Sequence, residues 1–515
     1  YADTRLSRAG AEVLVLGPHE PYLAYIADVL PSLGEEGVRT STPDALVPES
    51  AVARPEPDAE VARLKGSLAL VAAIEPAVAF YEEPPTERVE VETAWGEVTV
   101  TATDWADVFA AVSSSTVSGA MPHNEARDQL WSELAEIVGA HLLDDLDPDE
   151  AETVDAERVE RDLRRDEALT ELLHRSWPLI DATDLVGDLW EVPAYLRRCA
   201  PGLTPAERGL LRREDPSAWT LADLPLLDAA RARLGDPDAA GRQARRRRAQ
   251  EAARAEMDLV VDHLIETDDS EMHLMSMLRG QDLRGALADD GADDGAGPVG
   301  ALGLAPPSGT GAELAGPFAH IVVDEAQELT DAQWAMVLRR CPSRSLTIVG
   351  DRAQARAGFT ESWAERLARV GLDRVAQVQL TVNYRTPAEV MTRAEAVIRA
   401  ALPDANVPTS IRQTGIPVRQ ARLSELGSVL TDWLDRYAEG TAAVIGLASG
   451  VARPPLPDGS GDRVAWLTPQ TAKGLEFDVV VLCDPEAFGS GLTGAVDRYV
   501  AMTRTTRELV ILTPG

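Results

Sequence analysis

Two adjacent carboxylates, Asp324 and Glu325, close the run Ala319-His320-Ile321-Val322-Val323 and are followed by Ala326-Gln327-Glu328. An apolar run of this length predicts a strand buried on both faces, with Asp324 at its carboxyl end, where open α/β sheets bind ligands. One carboxylate in such a place can hold Mg²⁺, and its neighbour can take a proton from a water that attacks a phosphate. Four further segments carry compatible chemistry. Ser345–Gln354 predicts a second buried strand ending in Gly350-Asp351, with Gln354 placed to sense a phosphate. Asn383-Tyr384-Arg385 supplies an aromatic ring for base stacking and a cation for phosphate charge. Gln470-Thr471-Ala472-Lys473-Gly474-Leu475-Glu476 precedes the apolar run Phe477–Leu482, and Arg498–Arg504 ends on a cation. Singly, each fits a structural role as well: an acidic turn, Tyr384 in a core, Arg504 in a surface ion pair. Five in order, at strand ends or turns, point to phosphate chemistry.

The elements that position these residues are read from the rest of the chain. Residues 11–16 predict a buried strand and 21–30 a helix, one strand–helix unit of a parallel sheet. Residues 40–60 predict a loop, 59–79 a helix, and 88–103 a β-hairpin turning at Trp95-Gly96. From 104 to 283 the pattern is helical and acidic, interrupted at 219–228 by a packed turn before another helix. Arg245–Arg248 reads as a solvated helix face, and Met272, Met275 and Met277 as core or partner-facing positions. Residues 285–317, nearly all Gly, Ala, Pro and Asp, predict a linker or long surface loop. Its Ser308-Gly309-Thr310-Gly311 lacks the Gly-Lys-Ser/Thr ending and the preceding strand of a phosphate loop.

A chain of 515 residues can hold several domains, and no apolar run approaches the roughly 20 residues that span a bilayer. There is no signal-peptide pattern, and Cys199, Cys341 and Cys483 match no metal-ligand spacing, which fits a reducing cytoplasm. The formal charge of −36 is uneven. Residues 301–515 hold 24 acidic and 21 basic residues, whereas residues 1–300 hold 61 and 28. The first 300 residues would repel a duplex and attract a basic partner surface.

The five segments resemble motifs II to VI of the superfamily 1 helicases of the UvrD/Rep type, and 13–30 resembles their motif Ia. The resemblance covers residues 1–40 and 318–515. It implies an α/β fold of two RecA-like parallel-sheet domains, with a large, mainly helical acidic insertion in the first. It implies ATP and Mg²⁺ as cofactors of an ATPase. By carry-over Asp324 binds Mg²⁺, Glu325 activates water, and Gln327 and Gln354 couple the γ-phosphate to domain movement. Tyr384 stacks on adenine, Glu476 contacts ribose, and Arg385 and Arg504 neutralise transition-state charge; Asp351, Lys473 and Gly474 complete the nucleotide site. Three departures stand out. No Gly-x-x-x-x-Gly-Lys-Ser/Thr occurs in the sequence, so the resemblance places that loop upstream of Tyr1. Gln470 stands where the family has His. Only 90 positions separate Asn383 from Lys473, too few for the second insertion of unwinding relatives.

A narrower resemblance is to the HelD-like RNA polymerase recycling factors. It rests on Val29-Leu30-Pro31-Ser32-Leu33-Gly34-Glu35, on 219–228 and on Arg339-Arg340-Cys341-Pro342-Ser343. That family uses an N-terminal coiled-coil arm, not seen in these 515 residues, and an insertion in the first ATPase domain to enter the channels of RNA polymerase. It releases polymerase from nucleic acid, and some members displace rifamycin-type inhibitors. The implied organisation is a first RecA-like part at 1–60, a small mixed subdomain at 61–118 and an acidic polymerase-contacting insertion at 119–284. A linker at 285–317, the remainder of the first RecA-like domain at 318–376 and the second at 377–515 complete it. The implied partner is core RNA polymerase, bound directly by a monomer in a 1:1 complex, with nucleic acid engaged only weakly or indirectly and no membrane. Two other readings remain open: a DNA translocase or helicase in repair, and a non-catalytic, nucleotide-switched polymerase clamp.

Overall fold

The computed structural model describes residues 12–29, 38–117, 121–237, 314–356, 359, 361–447, 453–456 and 461–514. Arg245–Arg248, the Met272–Met277 group, the Ser308–Gly311 segment, most of 285–317, and Leu30–Glu35 lie outside these residues. The chain divides into two compact units, Tyr1–Ala51 with Leu314–Gly515, and Val52–Glu313.

The first unit opens with β1 (Val13–Leu16), a helix (Glu20–Val29) and β2 (Val38–Ser41), which lies parallel to β1. The chain then passes through two short 3₁₀ turns, Asp44–Leu46 and Pro48–Ala51, inside the stretch expected to be a plain loop.

The second unit is mainly helical. Its start, expected as one helix over 59–79, is three short helices: Ala59–Lys65, Leu68–Ala72 and Ile74–Ala79. Gly66-Ser67 ends the first, and Pro76, which lacks a backbone donor, is tolerated only in the first turn of the third. The hairpin forms as predicted, β3 (Val89–Thr93) pairing antiparallel with β4 (Gly96–Val100). Its inward residues Val91, Val98 and Val100 pack with Trp105, Phe109, Leu130, Leu134 and Trp177 of the following helices into one core. The packed turn at 219–228 is built on a capping box between Thr220 and Asp223. Asp223 is fully buried and held by Lys65 (3.0 Å) and Arg213 (2.9 Å), so its charge is paired rather than stranded.

On returning to the first unit the chain forms β5 (His320–Val323), parallel to β1, and β6 (Leu346–Ile348), parallel to β5, giving the order β2-β1-β5-β6. Ile321 and Val323 are fully buried, but His320 and Val322 are only half covered. The expectation of burial on both faces is therefore corrected, as is that of a second buried strand, since Leu346 and Ile348 of β6 are only half covered and Thr347 is exposed. The His320 ring meets the hydroxyls of Ser345 and Thr347, both at 2.9 Å, giving that face polar character. Arg340, 7% exposed, donates to the carbonyls of Leu46 (3.0 Å), Leu314 (2.9 Å) and Met336 (3.0 Å). It thereby fastens the points where the chain leaves and re-enters this unit.

After a two-residue parallel pair, β7 (Val382–Asn383) with β8 (Thr409–Ser410), come β9 (Arg419–Arg422), β10 (Ala442–Ile445), β11 (Val464–Leu467), β12 (Phe477–Cys483) and β13 (Thr505–Thr513). The last five make an all-parallel sheet in the order β11-β10-β12-β13-β9. In its central strands, β10, β12 and β13, both faces are buried. Ile445, Val480, Leu482 and Ile511 pack toward one side, with helices Ala388–Ala401 and Gly491–Thr503. Val444, Val479, Val481 and Val510 pack toward the other, with helix Leu426–Arg436. Each such side chain contributes about 1.5–3 kcal/mol by leaving water, which is why the strands read as unbroken apolar runs. The fold is α/β: two parallel sheets, the first interrupted by a large, mainly helical acidic insertion.

Candidate functional site

The strand ends of both sheets deliver polar side chains into one hydrogen-bonded chain. Asp324 follows β5, and its N–H donates to Leu16 O of β1 (2.9 Å), which fixes its backbone at the sheet's carboxyl edge. Glu325 is held at φ 53°, a left-handed conformation that non-glycine residues adopt at a cost of about 1–3 kcal/mol, usually at functional sites. Its Oε2 accepts from Gln327 Nε2 at 2.5 Å. Gln327, only 2% exposed, accepts the Asp351 N–H through Oε1 at 3.0 Å. Asp351 accepts from Gln354 Nε2 at 2.9 Å, and Gln354 Oε1 accepts from Arg504 Nη2 at 3.4 Å. The chain therefore runs from Glu325 on the first sheet to Arg504, which follows the last helix of the second.

Burial, more than pairing, sets the charges along this chain. Desolvation raises the Asp351 carboxyl above the ordinary aspartate value, against the pull of its hydrogen bonds and of Arg504 and Lys473. Desolvation lowers the Arg504 guanidinium, although Glu325 and Glu476 favour its charge. Groups whose charged forms are disfavoured by burial gain from a ligand of opposite charge, and such groups concentrate at functional sites.

The remaining residues identified in the sequence fall around this chain. Arg385 pairs with Glu476 at 2.6 Å, both half exposed. Tyr384 is 73% exposed, so it is not a core residue, and Arg504 is 5% exposed, so it is not in a surface ion pair. Lys473 is buried and directs its ammonium to Glu328 and to Gln354 O (3.0 Å), tying the turn before β12 to the first sheet. Gly474 adopts φ +76°, and a Cβ there would lie 2.5 Å from the Tyr22 ring. Gly350 plays a similar spatial role, since a Cβ there would meet Trp363 at 2.7 Å and Gln327 Oε1 at 2.9 Å.

Five participants escaped the sequence reading. Tyr22 donates its hydroxyl to Asp324 Oδ2, and His19 Nε2 donates to Lys473 O at 2.7 Å. Glu328 receives Lys473. Arg356 pairs with Asp497 at 3.2 Å, and Gln470 lies beside Arg356. Desolvation raises the buried Asp497 carboxyl despite that partner. Their positions in the sequence carry no signal of these contacts; only the need of Gly474 for a positive φ marks the spot where the turn is crowded.

The donor set fits Mg²⁺ rather than a protein-enclosed metal. Among the described residues no group of three or more His, Cys, Asp or Glu side chains is placed to hold an ion. Mg²⁺ is commonly held by one or two carboxylates, completed by substrate phosphates and water, and Asp324 can supply that single carboxylate. No helix among the described residues is long and apolar enough to cross a membrane.

No family model matches the chain, and no curated protein matches it. Among solved structures it is similar in part to a PRRSV helicase, with 18% identity over 38% of this chain and 35% of that chain, at a TM-score of 0.25. It is likewise similar to Arterivirus nonstructural protein 10, a helicase, with 19% identity over 38% of each chain and a TM-score of 0.23. A complex of that protein with DNA matches at 21% identity over 37% of this chain and 38% of that one, with a TM-score of 0.22. The matches span 35–38% of those helicase chains, and at such TM-scores they carry no conclusion about activity.

Proposed function

We propose that the chain acts in a HelD-like, ATP-dependent factor that binds RNA polymerase and releases it from DNA or RNA for recycling. The observation that supports its ATPase part is the hydrogen-bonded chain from Glu325 through Gln327, Asp351 and Gln354 to Arg504. A base at one end and a cation at the other, on different sheets, are what phosphoryl transfer to water requires. Asp324 holds Mg²⁺, which supplies charge neutralisation at the phosphates. Glu325 orients and deprotonates the attacking water. Arg504 and Arg385 offset the charge that develops in the transition state, and the exposed Tyr384 ring stacks on adenine beside Glu476. Gln327 and Gln354 link the two ends, so a change at the phosphate alters the register of one sheet against the other.

The polymerase reading draws support from charge. The acidic excess lies in the first 300 residues, and an acidic insertion competes for the arginines and lysines with which a polymerase channel holds phosphates. Displacement of rifamycin-type inhibitors from the same channels belongs to this reading. The test is Glu325→Gln in the full protein. It is expected to bind core RNA polymerase and nucleotide while failing to hydrolyse ATP and to recycle the polymerase. Recycling at the wild-type rate without hydrolysis would leave a nucleotide-switched clamp as the better account.

A further inference from the structure

Tyr22 stands at a junction that the hydrolytic reading does not use. It lies in the first turn of helix Glu20–Val29, directly after β1, and is 9% exposed. Its hydroxyl donates to Asp324 Oδ2, the carboxylate oxygen left over once Oδ1 has accepted the Glu325 N–H at 2.8 Å. Two glycines make the slot that its ring fills. A Cβ on Gly17 would lie 2.7 Å from the ring, and one on Gly474 would lie 2.5 Å from it. His19 closes the junction: its Nδ1 accepts the Tyr22 N–H at 3.2 Å, so the proton resides on Nε2, which donates to Lys473 O at 2.7 Å. One aromatic side chain thus touches the metal-binding carboxylate with its hydroxyl and the Lys473-Gly474 turn with its ring.

We propose that Tyr22 competes with the divalent cation for Asp324, and that its seat against Gly474 carries the outcome of that competition to the Lys473-Gly474 turn. The proposal rests on the reading of Asp324 as the Mg²⁺ carboxylate. A phenol O–H and a cation seek the same lone pairs, and the cation displaces the neutral donor from the oxygen it takes. The ring lies so near Gly17 and Gly474 that a Cβ on either would clash with it, so a displaced hydroxyl that moves the ring presses on the turn. Linkage makes the coupling reciprocal: shifting the turn changes the cation affinity by the same factor.

The experiment is a Mn²⁺ titration of the full protein followed by electron paramagnetic resonance, comparing wild type, Tyr22→Phe and Asp324→Asn. The specific site is read as the binding that Asp324→Asn removes. Tyr22→Phe keeps the ring and its packing, and is expected to tighten that site roughly tenfold, the worth of one hydrogen bond to a charged group. Equal or weaker binding by Tyr22→Phe, with the site still lost in Asp324→Asn, overturns the competition and leaves the metal reading standing. Wild-type binding by Asp324→Asn overturns both. A second readout addresses the turn. Lys473 and Lys65 are the sole lysines of the sequence, and both are buried. A lysine-specific protease is expected to cut after Lys473 faster when Mn²⁺ is added to wild type, and equally fast with or without Mn²⁺ in Tyr22→Phe. A wild-type rate that Mn²⁺ does not change overturns the transmission to the turn.

Discussion

Two buried charged clusters of this chain solve the same physical problem in opposite ways. In the second unit Glu82 lies between His123 Nδ1 (2.9 Å) and Arg233 Nη2 (2.9 Å), and Arg233 also holds Glu75 at 2.8 Å. Burial pushes the Glu82 carboxyl up, yet the His123 hydrogen bond and the charges of Arg233 and His123 outweigh it and hold the carboxyl below its ordinary value. Arg233 is raised, its carboxylate partners overcoming the desolvation that lowers it. In the first unit the balance tips the other way: burial wins at Asp351, which is raised, and at Arg504, which is lowered. A cluster whose charges are satisfied internally is structural. A cluster whose charges remain disfavoured by burial has something to gain from a charged ligand, and the strained Glu325 backbone sits at its end.

That contrast sets the sizes of the expected effects. The largest is Arg504→Ala, which should reduce ATP turnover by about 10³-fold or more while the melting of the second unit stays unchanged. Steady-state hydrolysis and calorimetry on the same preparation separate the two. Next is Arg233→Ala, which leaves the buried Glu82 with His123 alone and should cost the second unit about 3 kcal/mol, with nucleotide binding retained. Denaturant unfolding read by hydrogen exchange shows which unit loosens. If Arg233→Ala instead lowered turnover with no loss of stability, the two clusters would not differ in kind. Tyr384→Ala is smaller still, costing about 1–3 kcal/mol of nucleotide affinity through lost base stacking, measured with a fluorescent ATP analogue. The smallest effect is a pH dependence. Glu82 has a folded value below its unfolded 4.5, so its contribution is present above that pH and fades as the pH falls through the depressed folded value. Glu82→Gln should flatten the acid limb of the second unit's stability profile; an unchanged limb would assign acid sensitivity elsewhere.

The strand-end residues were legible because parallel strands carry short apolar runs even where, as in β5 and β6, they are only partly covered, and the residue after such a run lies at the sheet's carboxyl edge. Asp324 and Gly350-Asp351 follow from that, and the turn before β12 from the apolar run it precedes. The helical insertion and its hairpin were legible from periodicity, as Val91, Val98 and Val100 show by facing one core. What periodicity could not reveal was the breaking of 59–79 into three helices, where Gly66-Ser67 and Pro76 override an otherwise continuous pattern. Nor could it show that β5 would be half covered on the face carrying His320. The Tyr22, His19, Glu328, Arg356 and Asp497 contacts were illegible for a different reason. They join residues far apart in the chain, His19 and Lys473 being 454 positions apart, and each residue type alone is ordinary.

The proposed function is action on RNA polymerase rather than on free nucleic acid. It is tested most directly by binding the full protein to core RNA polymerase in the presence of excess single-stranded DNA, across a salt series. The account predicts stoichiometric polymerase binding that the DNA does not compete away, because the acidic first 300 residues repel phosphates and attract basic channel walls. Capture of the protein by the DNA, with an affinity that falls steeply as salt rises, would contradict it and place the chain among the DNA translocases.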